Sequence, residues 1–233
     1  MLKKIVVKIG GSILYDSNLE INFLILKKFK DWYYQHNEEY DKIAIVTGGG
    51  ELSRDIQKKI TGSILNQEYL HNIAMSVTQT NAAIIQGYLE DPNSYIPKRI
   101  GDACEFFNEE KNKTLISGGL KIGWSTDMDA AVFADMLDVD IVYKISDIDH
   151  VYDSNPEENP NAKPFEDLTW VEYSGLFNIS EGDSHEANKN IPIDAMCAQF
   201  CLKKGISFFI CGGKSLTEKP MVEEILKVGT LIH

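Results

Sequence analysis

The sequence predicts an α/β fold, a three-layer α/β/α sandwich around a largely parallel central sheet. Three observations carry this expectation. Short β-branched runs alternate with longer segments whose apolar residues recur at the helical period. The runs stop at glycine pairs or triplets, and strand–glycine–helix repeated along one chain calls for parallel strands with helices on both faces. The chain has 233 residues, 43% of them hydrophobic, which is enough to bury a core as a single domain spanning 1–233.

The elements follow in order. Residues 4–9 form a first strand that breaks at Gly10-Gly11-Ser12. Residues 19–34 read as a helix, with Ile21, Leu24, Ile25, Phe29, Trp32 and Tyr33 on the helical period. Its aromatic run Trp32-Tyr33-Tyr34 suits either core packing or an interface between copies. A second buried strand covers 42–47 and ends at Gly48-Gly49-Gly50. A polar helix starts near Glu51, and another covers about 69–89. Residues 94–97 and 114–117 read as short strands, the second closing on Gly118-Gly119.

Ser125 and Thr126 offer N-cap chemistry to an apolar helix that runs through Leu137. Another strand covers 140–145. Residues 147–163, rich in Asp, Asn, Glu and Pro, form an irregular stretch facing solvent. A helix at 193–204, a strand at 206–211 ended by Gly212-Gly213, and a last helix at 220–227 complete the chain. There is no internal repeat, low-complexity tract or linker.

Charge excludes some functions. Lys and Arg number 23 against 35 Asp and Glu, a net charge of −12, so the chain lacks the basic footprint of a nucleic-acid binder. A local cationic pocket for a small phosphate is compatible with that balance. No apolar run approaches the ~20 residues of a membrane span. The first eight residues have no apolar stretch long enough for a signal peptide, so a cytoplasmic location is expected. Cys104, Cys197, Cys201 and Cys211 are then reduced thiols. Cys197 and Cys201, one helical turn apart, are either small buried hydrophobes or a pair suited to a metal.

The chemistry gathers where strands stop, since ligands of open α/β sheets collect at the carboxyl ends. Gly10-Gly11, Gly48-Gly49-Gly50 and Gly118-Gly119 let a phosphate approach backbone N–H groups that no Cβ shields. Three such turns suit more than one phosphate, although each alone is explained as well by a tight turn. Lys8 is either a residue whose apolar stem lies on the sheet with its ammonium in water, or a cation aimed at a phosphoryl group. Arg54 either forks two phosphate oxygens or is a surface arginine. Asp127 and Asp129 fall in the first turn of a helix, where a carboxylate complements the dipole; that role is expected of Asp129. Asp194 begins another helix as a cap or as an orienting carboxylate. The GxxxxGK[ST] and GxGxxG fingerprints are both missing from the sequence.

Together these pieces resemble the amino acid kinase family, most closely its archaeal-type UMP kinase branch. The resemblance rests on KIGGS (8–12), VTGGGELSR (46–54), GG-x3-GWSTD (118–127), SDIDHVYDSNP (146–156) followed by AKPFEDLTW, and PIDAMCAQ (192–199), in family order and spacing. It implies transfer of the γ-phosphoryl group of ATP, with Mg²⁺, to the phosphate of UMP, in a homo-oligomer that is a hexamer built from dimers. Lys8, Ile9, Gly10, Gly11 and Ser12 would bind the ATP phosphates, with Gly50 and Arg54 bridging donor and acceptor. Ser146, Asp147, Tyr152 and Asn155 would hold the adenine nucleotide. Gly49, His71, Leu120, Lys121, Ile122, Gly123, Trp124, Ser125, Thr126 and Asp127 would line the acceptor. Asp194 would orient Lys8, and Mg²⁺ would be held by nucleotide phosphates and not by protein ligands.

Several positions depart from the family pattern. His71 stands where the family has a ribose-binding aspartate, and Gln79 where it has an arginine. In the N-V-D-G-V-Y motif, His150 replaces the glycine and Asp147 the asparagine, while Asn155 replaces the aspartate before Pro156. Two other readings therefore accompany the first. One is a kinase of the same family acting on another small phosphorylated metabolite. The other is a non-catalytic oxyanion-binding or storage protein on the same fold.

Overall fold

The computed structural model describes residues 3–16, 18–64, 66–156, 158–180, 182–183, 191–212 and 228–233. The helix expected at 220–227 and Gly213 lie outside these residues. In chain order the elements are β1 (Lys4–Ile9), α1 (Gly11–Leu14), α2 (Phe23–His36), β2 (Lys42–Thr47), α3 (Gly50–Ile60), α4 (Gln67–Leu89), α5 (Ile100–Asn108), β3 (Thr114–Ser117) and α6 (Thr126–Leu137). There follow β4 (Ile141–Ser146), β5 (Val151–Tyr152), β6 (Pro164–Phe165), β7 (Asp167–Leu168), α7 (Trp170–Leu176), α8 (Ala195–Lys204), β8 (Ser207–Gly212) and β9 (Gly229–Ile232).

Seven strands form the main sheet in the order β3-β2-β1-β4-β8-β9-β7. Every pairing is parallel except β8 with β9, so the expected largely parallel sheet is what forms. β5 and β6 make a separate two-stranded ribbon that orders part of the stretch expected to be irregular. The period-2 alternation of strand side chains splits the core in two. Val6, Val142 and Phe208 pack with Phe133 of α6 and Cys197 and Cys201 of α8. Ile5, Val7, Ile43 and Ile45 face the other way, onto Phe29 and Tyr33 of α2 and Ile85 of α4. Lys8 therefore points to the α6 side, and the parallel register sets it beside Lys144 of β4.

Two expectations change in detail. The helix expected at 19–34 begins at Phe23: Leu19 has φ 63°, outside the helical region, and Asn22 caps the helix by accepting from the Ile25 N–H at 3.3 Å. Within it, Trp32 and Tyr33 are 5% and 1% exposed and belong to the core, while Tyr34 is 48% exposed. The strand expected at 94–97 is a single bridge from Tyr95 to Leu115. Pro97, which has no N–H to donate, follows directly.

Candidate active site

Because β1, β2 and β3 are parallel neighbours, their glycine turns meet at one edge of the sheet. The first two turns touch backbone to backbone. A Cβ on Gly50 would lie 2.1 Å from the Gly11 carbonyl, and one on Gly11 would lie 2.3 Å from the Gly50 nitrogen. Gly50 also has φ +59°, which glycine adopts without strain. The first turn is tied to β4 by Gly10 N–H donating to the Ile145 carbonyl at 2.7 Å. Beside Gly48, three groups converge: a Cβ there would stand 3.2 Å from the Gly11 nitrogen, 3.4 Å from Thr126 Oγ1 and 3.7 Å from Lys8 Nζ.

Under that point lies a buried ionic cluster. Asp127, in the first turn of α6, is placed by Ser125, whose hydroxyl oxygen caps the helix by accepting from Met128 N–H at 3.0 Å. One oxygen of Asp127 pairs with Lys8 Nζ at 3.1 Å and the other with Lys144 Nζ at 2.7 Å. Lys144 also donates to the Pro192 carbonyl. Burial pulls the Lys8 ammonium below its ordinary value; Asp127 opposes this and Lys144, a like charge, adds to it. Burial alone would raise Asp127, but the two ammonium groups overcome it and hold its carboxyl below the usual range. One buried carboxylate is thus shared between two lysines where water is scarce.

Asp194 approaches the same cluster from α8. One carboxylate oxygen accepts from the Ser125 hydroxyl; the other caps α8 through Met196 N–H at 3.1 Å and Cys197 N–H at 3.2 Å. Asp127 is thus a carboxylate paired with Lys8, and Asp194 reaches the helix that carries it through Ser125. Lys144 escaped the sequence reading because its only signal is a lysine in an apolar strand, and its partner depends on register.

Next to the cluster opens a cavity of about 610 Å³. Gly50, Ser53, Arg54 and Gln57 of α3 face it, as do His71, Ala74, Met75 and Thr78 of α4. Gly49, Gly119, Asp147 and residues 121–126 complete the wall. Of the expected acceptor residues, Gly49, His71, Lys121, Ile122, Gly123, Trp124, Ser125 and Thr126 line it, while Leu120 and Asp127 are buried behind. Of the expected donor residues, Gly50, Arg54 and Asp147 line it. Lys8, Ile9, Gly10, Gly11 and Ser12 form the adjoining strand and turn. Ser146 closes β4 and donates to Asp147 Oδ1 at 3.0 Å; Tyr152 and Asn155 stand apart, Tyr152 donating to Asp149 at 2.8 Å. Ser53, Gln57, Ala74, Met75 and Thr78 were legible in principle, since they follow Gly50 and His71 at helical spacing.

Cations on the cavity wall have partners. Arg54, at the surface, pairs with Glu51 at 2.9 Å, and Lys121 Nζ lies 4.2 Å from the centre of the Trp124 ring. Asp129 stands in the first turn of α6, as expected, but it is more than a complement to the helix dipole. It is fully buried, Oδ2 accepts from Leu120 N–H at 3.3 Å, and burial pushes its pKa up to about 8. His150 Nδ1 is 3.6 Å from Asp149. Cys197 and Cys201 are buried with sulfurs 3.9 Å apart, and burial raises the Cys197 thiol, as expected of packed, unreactive thiols. Among the described residues no group of three or more His, Cys, Asp or Glu is arranged to hold a metal. No helix among them is long and apolar enough to cross a membrane.

The chain is similar to proteins of known kind. A uridylate kinase of Thermococcus onnurineus is 30% identical over 213 residues, 91% of either chain. One of Thermoplasma volcanium is 26% identical over 100% of this chain and 99% of its own. A crystal structure of uridylate kinase from Archaeoglobus fulgidus superposes with a TM-score of 0.77 at 22% identity, covering 99% of this chain and 100% of the other. A UMP kinase structure from Ureaplasma parvum gives 0.74 at 21% identity, covering 100% and 98%. The family match itself spans residues 3–212, from the strand that carries Lys8 to the end of β8, and so includes the glycine turns, the Asp127 cluster and the cavity: the chain belongs to the amino acid kinase family.

Proposed function

We propose that this chain is a nucleoside monophosphate kinase that transfers the γ-phosphoryl group of ATP to UMP, giving ADP and UDP. The observation that carries the reading is the carboxylate of Asp127 shared between Lys8 and Lys144. The Lys8 Nζ of that cluster lies beside Gly48 and Thr126, at the border of a cavity sized for a small ligand. A phosphoryl group in flight between two phosphates is an anion that such a site favours, and the uridylate kinase relatives supply the acceptor.

In this reading Lys8 steadies the transferring group, and the turn 10–12 takes the ATP phosphates through the N–H groups of Gly11 and Ser12, that of Gly10 being donated to Ile145. Gly50 and Arg54 bridge donor and acceptor. Ser146, Asp147, Tyr152 and Asn155 hold the adenine nucleotide. His71, Leu120 and residues 121–126 receive UMP with Gly49 against it. A phosphate oxygen of UMP forms the new bond to the γ-phosphorus as the bond to the β-phosphate oxygen breaks. The acceptor is already an anion, so no general base is required.

Mg²⁺ in this reading is held by the nucleotide phosphates, in a cavity whose wall carries one carboxylate, Asp147. Bound there, Mg²⁺ would neutralise phosphate charge. Assembly as a homo-oligomer, a hexamer by resemblance, belongs to the same proposal. The exposed Phe23, Leu24 and Tyr34 give α2 an apolar outer face for it.

The test is ADP release with Mg·ATP across UMP, CMP, dUMP, AMP, isopentenyl phosphate, aspartate and glutamate, with Lys8→Ala as blank. Lys8-dependent turnover of UMP is expected. Turnover of another acceptor alone would move the assignment within the family. ATP binding without any turnover would favour a storage role.

A further inference from the structure

Gln79 stands outside the cavity lining, yet it holds one wall of the cavity to the other. Its side-chain Nε2 donates to the Gly119 carbonyl at 2.8 Å. The neighbouring Thr78 accepts from Gly119 N–H at 2.7 Å while its own hydroxyl donates to the Met75 carbonyl at 2.6 Å. One residue further on, Leu120 N–H meets Asp129 of α6. The peptide groups that open the 119–125 loop are therefore held by side chains of two different helices. Gly118 lets α4 come this close: a Cβ there would fall 2.4 Å from the Thr78 carbonyl carbon and 2.5 Å from the Gln79 nitrogen.

What this tether controls follows from where α4 goes. One and two turns before Thr78, the same helix presents Met75, Ala74 and His71 to the cavity, and the tethered loop presents Lys121, Ile122 and Trp124 opposite. Within the loop, the Lys121 ammonium lies over the Trp124 ring, and Trp124 N–H donates to the Lys121 carbonyl at 3.1 Å. We propose that Gln79 is a positioning residue for acceptor selection: by pinning Gly119 to α4 it fixes the gap between the α4 wall and the 119–125 loop, and so sets how wide a base the cleft accepts. This inference rests on the nucleotide kinase reading for its substrate, but the tether itself can be read without turnover.

Two variants remove the donor and keep the bulk, Gln79→Leu and Gln79→Glu. In ligand-free protein, amide hydrogen exchange across 119–125 is expected to quicken at least tenfold in both, with exchange in the core strands unchanged. With Mg·ATP, the KM for UMP is expected to rise tenfold or more while kcat stays within about threefold and the KM for ATP is unchanged. The preference for UMP over AMP in kcat/KM should narrow. A residue that merely supports the fold would shift both KM values and the melting temperature together, and that pattern overturns the proposal. Unchanged exchange in the loop overturns it too, whether or not the wild type phosphorylates UMP. If the wild type turns over no nucleoside monophosphate, the substrate reading fails and exchange alone decides the tether.

Discussion

Lys8 and Lys144 are cross-strand neighbours on the two central strands, and one buried carboxylate, Asp127, serves both. Neither lysine has that anion to itself. Burying the pair of cations would be costly without Asp127.

Replacing Lys144 tests that balance. In Lys144→Met, Asp127 would pair with Lys8 alone and the cluster would lose one positive charge, so kcat at neutral pH should fall by roughly 10- to 100-fold, in the range of other electrostatic catalytic groups. The pH profile carries the sharper sign. Lys8 must be protonated to oppose phosphoryl charge, and its pKa is held down by burial and by the Lys144 charge. Removing a like charge raises it, so the alkaline limb of kcat/KM should move to higher pH. A limb that stays in place would mean that Lys144 only packs.

Asp129 predicts a pH-dependent stability. Burial raises its folded pKa to about 8 from 3.8, with Leu120 N–H opposing, Asp127 adding and Lys121 opposing. Between those values the folded chain keeps a proton that the unfolded chain has lost. Stability therefore falls as pH rises through that window and levels off above it. Asp129→Asn cannot ionise and should escape this fall. Its melting temperature relative to wild type should rise from pH 5 to pH 8, and a constant difference would refute the assignment.

Ser125 joins two helices with one hydroxyl, capping α6 and donating to Asp194. Ser125→Ala should cost about 1–2 kcal/mol in chemical unfolding, the range of a lost N-cap. Activity should drop further than stability does, because the first turn of α6 carries Asp127 and Thr126. Ser125→Thr retains the hydroxyl and should recover both.

Much of this was legible in the sequence where a local rule decides. The glycine turns ended their strands, and Ser125 and Asp194 became the N-caps their residue types favour. Facing decided the rest. In TDMDAAVFADML nearly every residue is apolar or buried, so no polar stripe announced that Asp129 points inward. That Lys144 lies beside Lys8 follows from the β1–β4 register, which two runs of the chain far apart do not reveal. Gln79 looked like a lost arginine contact; its amide instead works through Gly119. α7 carried a signal that went unread, the Thr169–Glu172 capping box.

The contact between the first two glycine turns yields the last prediction. Gly50 sits at φ +59° with the Gly11 carbonyl where its Cβ would go, at 2.1 Å, closer than atoms can pack. Both neighbours at that point are backbone, so no side-chain rotation can relieve the clash. Gly50→Ala must either push the two turns apart or tip the start of α3, and it also incurs the left-handed penalty, of order 1–2 kcal/mol, that glycine avoids. Stability should therefore fall by several kcal/mol, with activity lost even under conditions where the variant is folded, because Lys8 and Thr126 both border the displaced turn. Gly62→Ala provides the contrast. Gly62 has φ +90° but nothing within 4 Å of its Cβ position, so the backbone penalty acts there alone and turnover should be unaffected. Equal losses of activity in the two variants, measured at matched folded fraction, would show that contact between the turns has no part in catalysis.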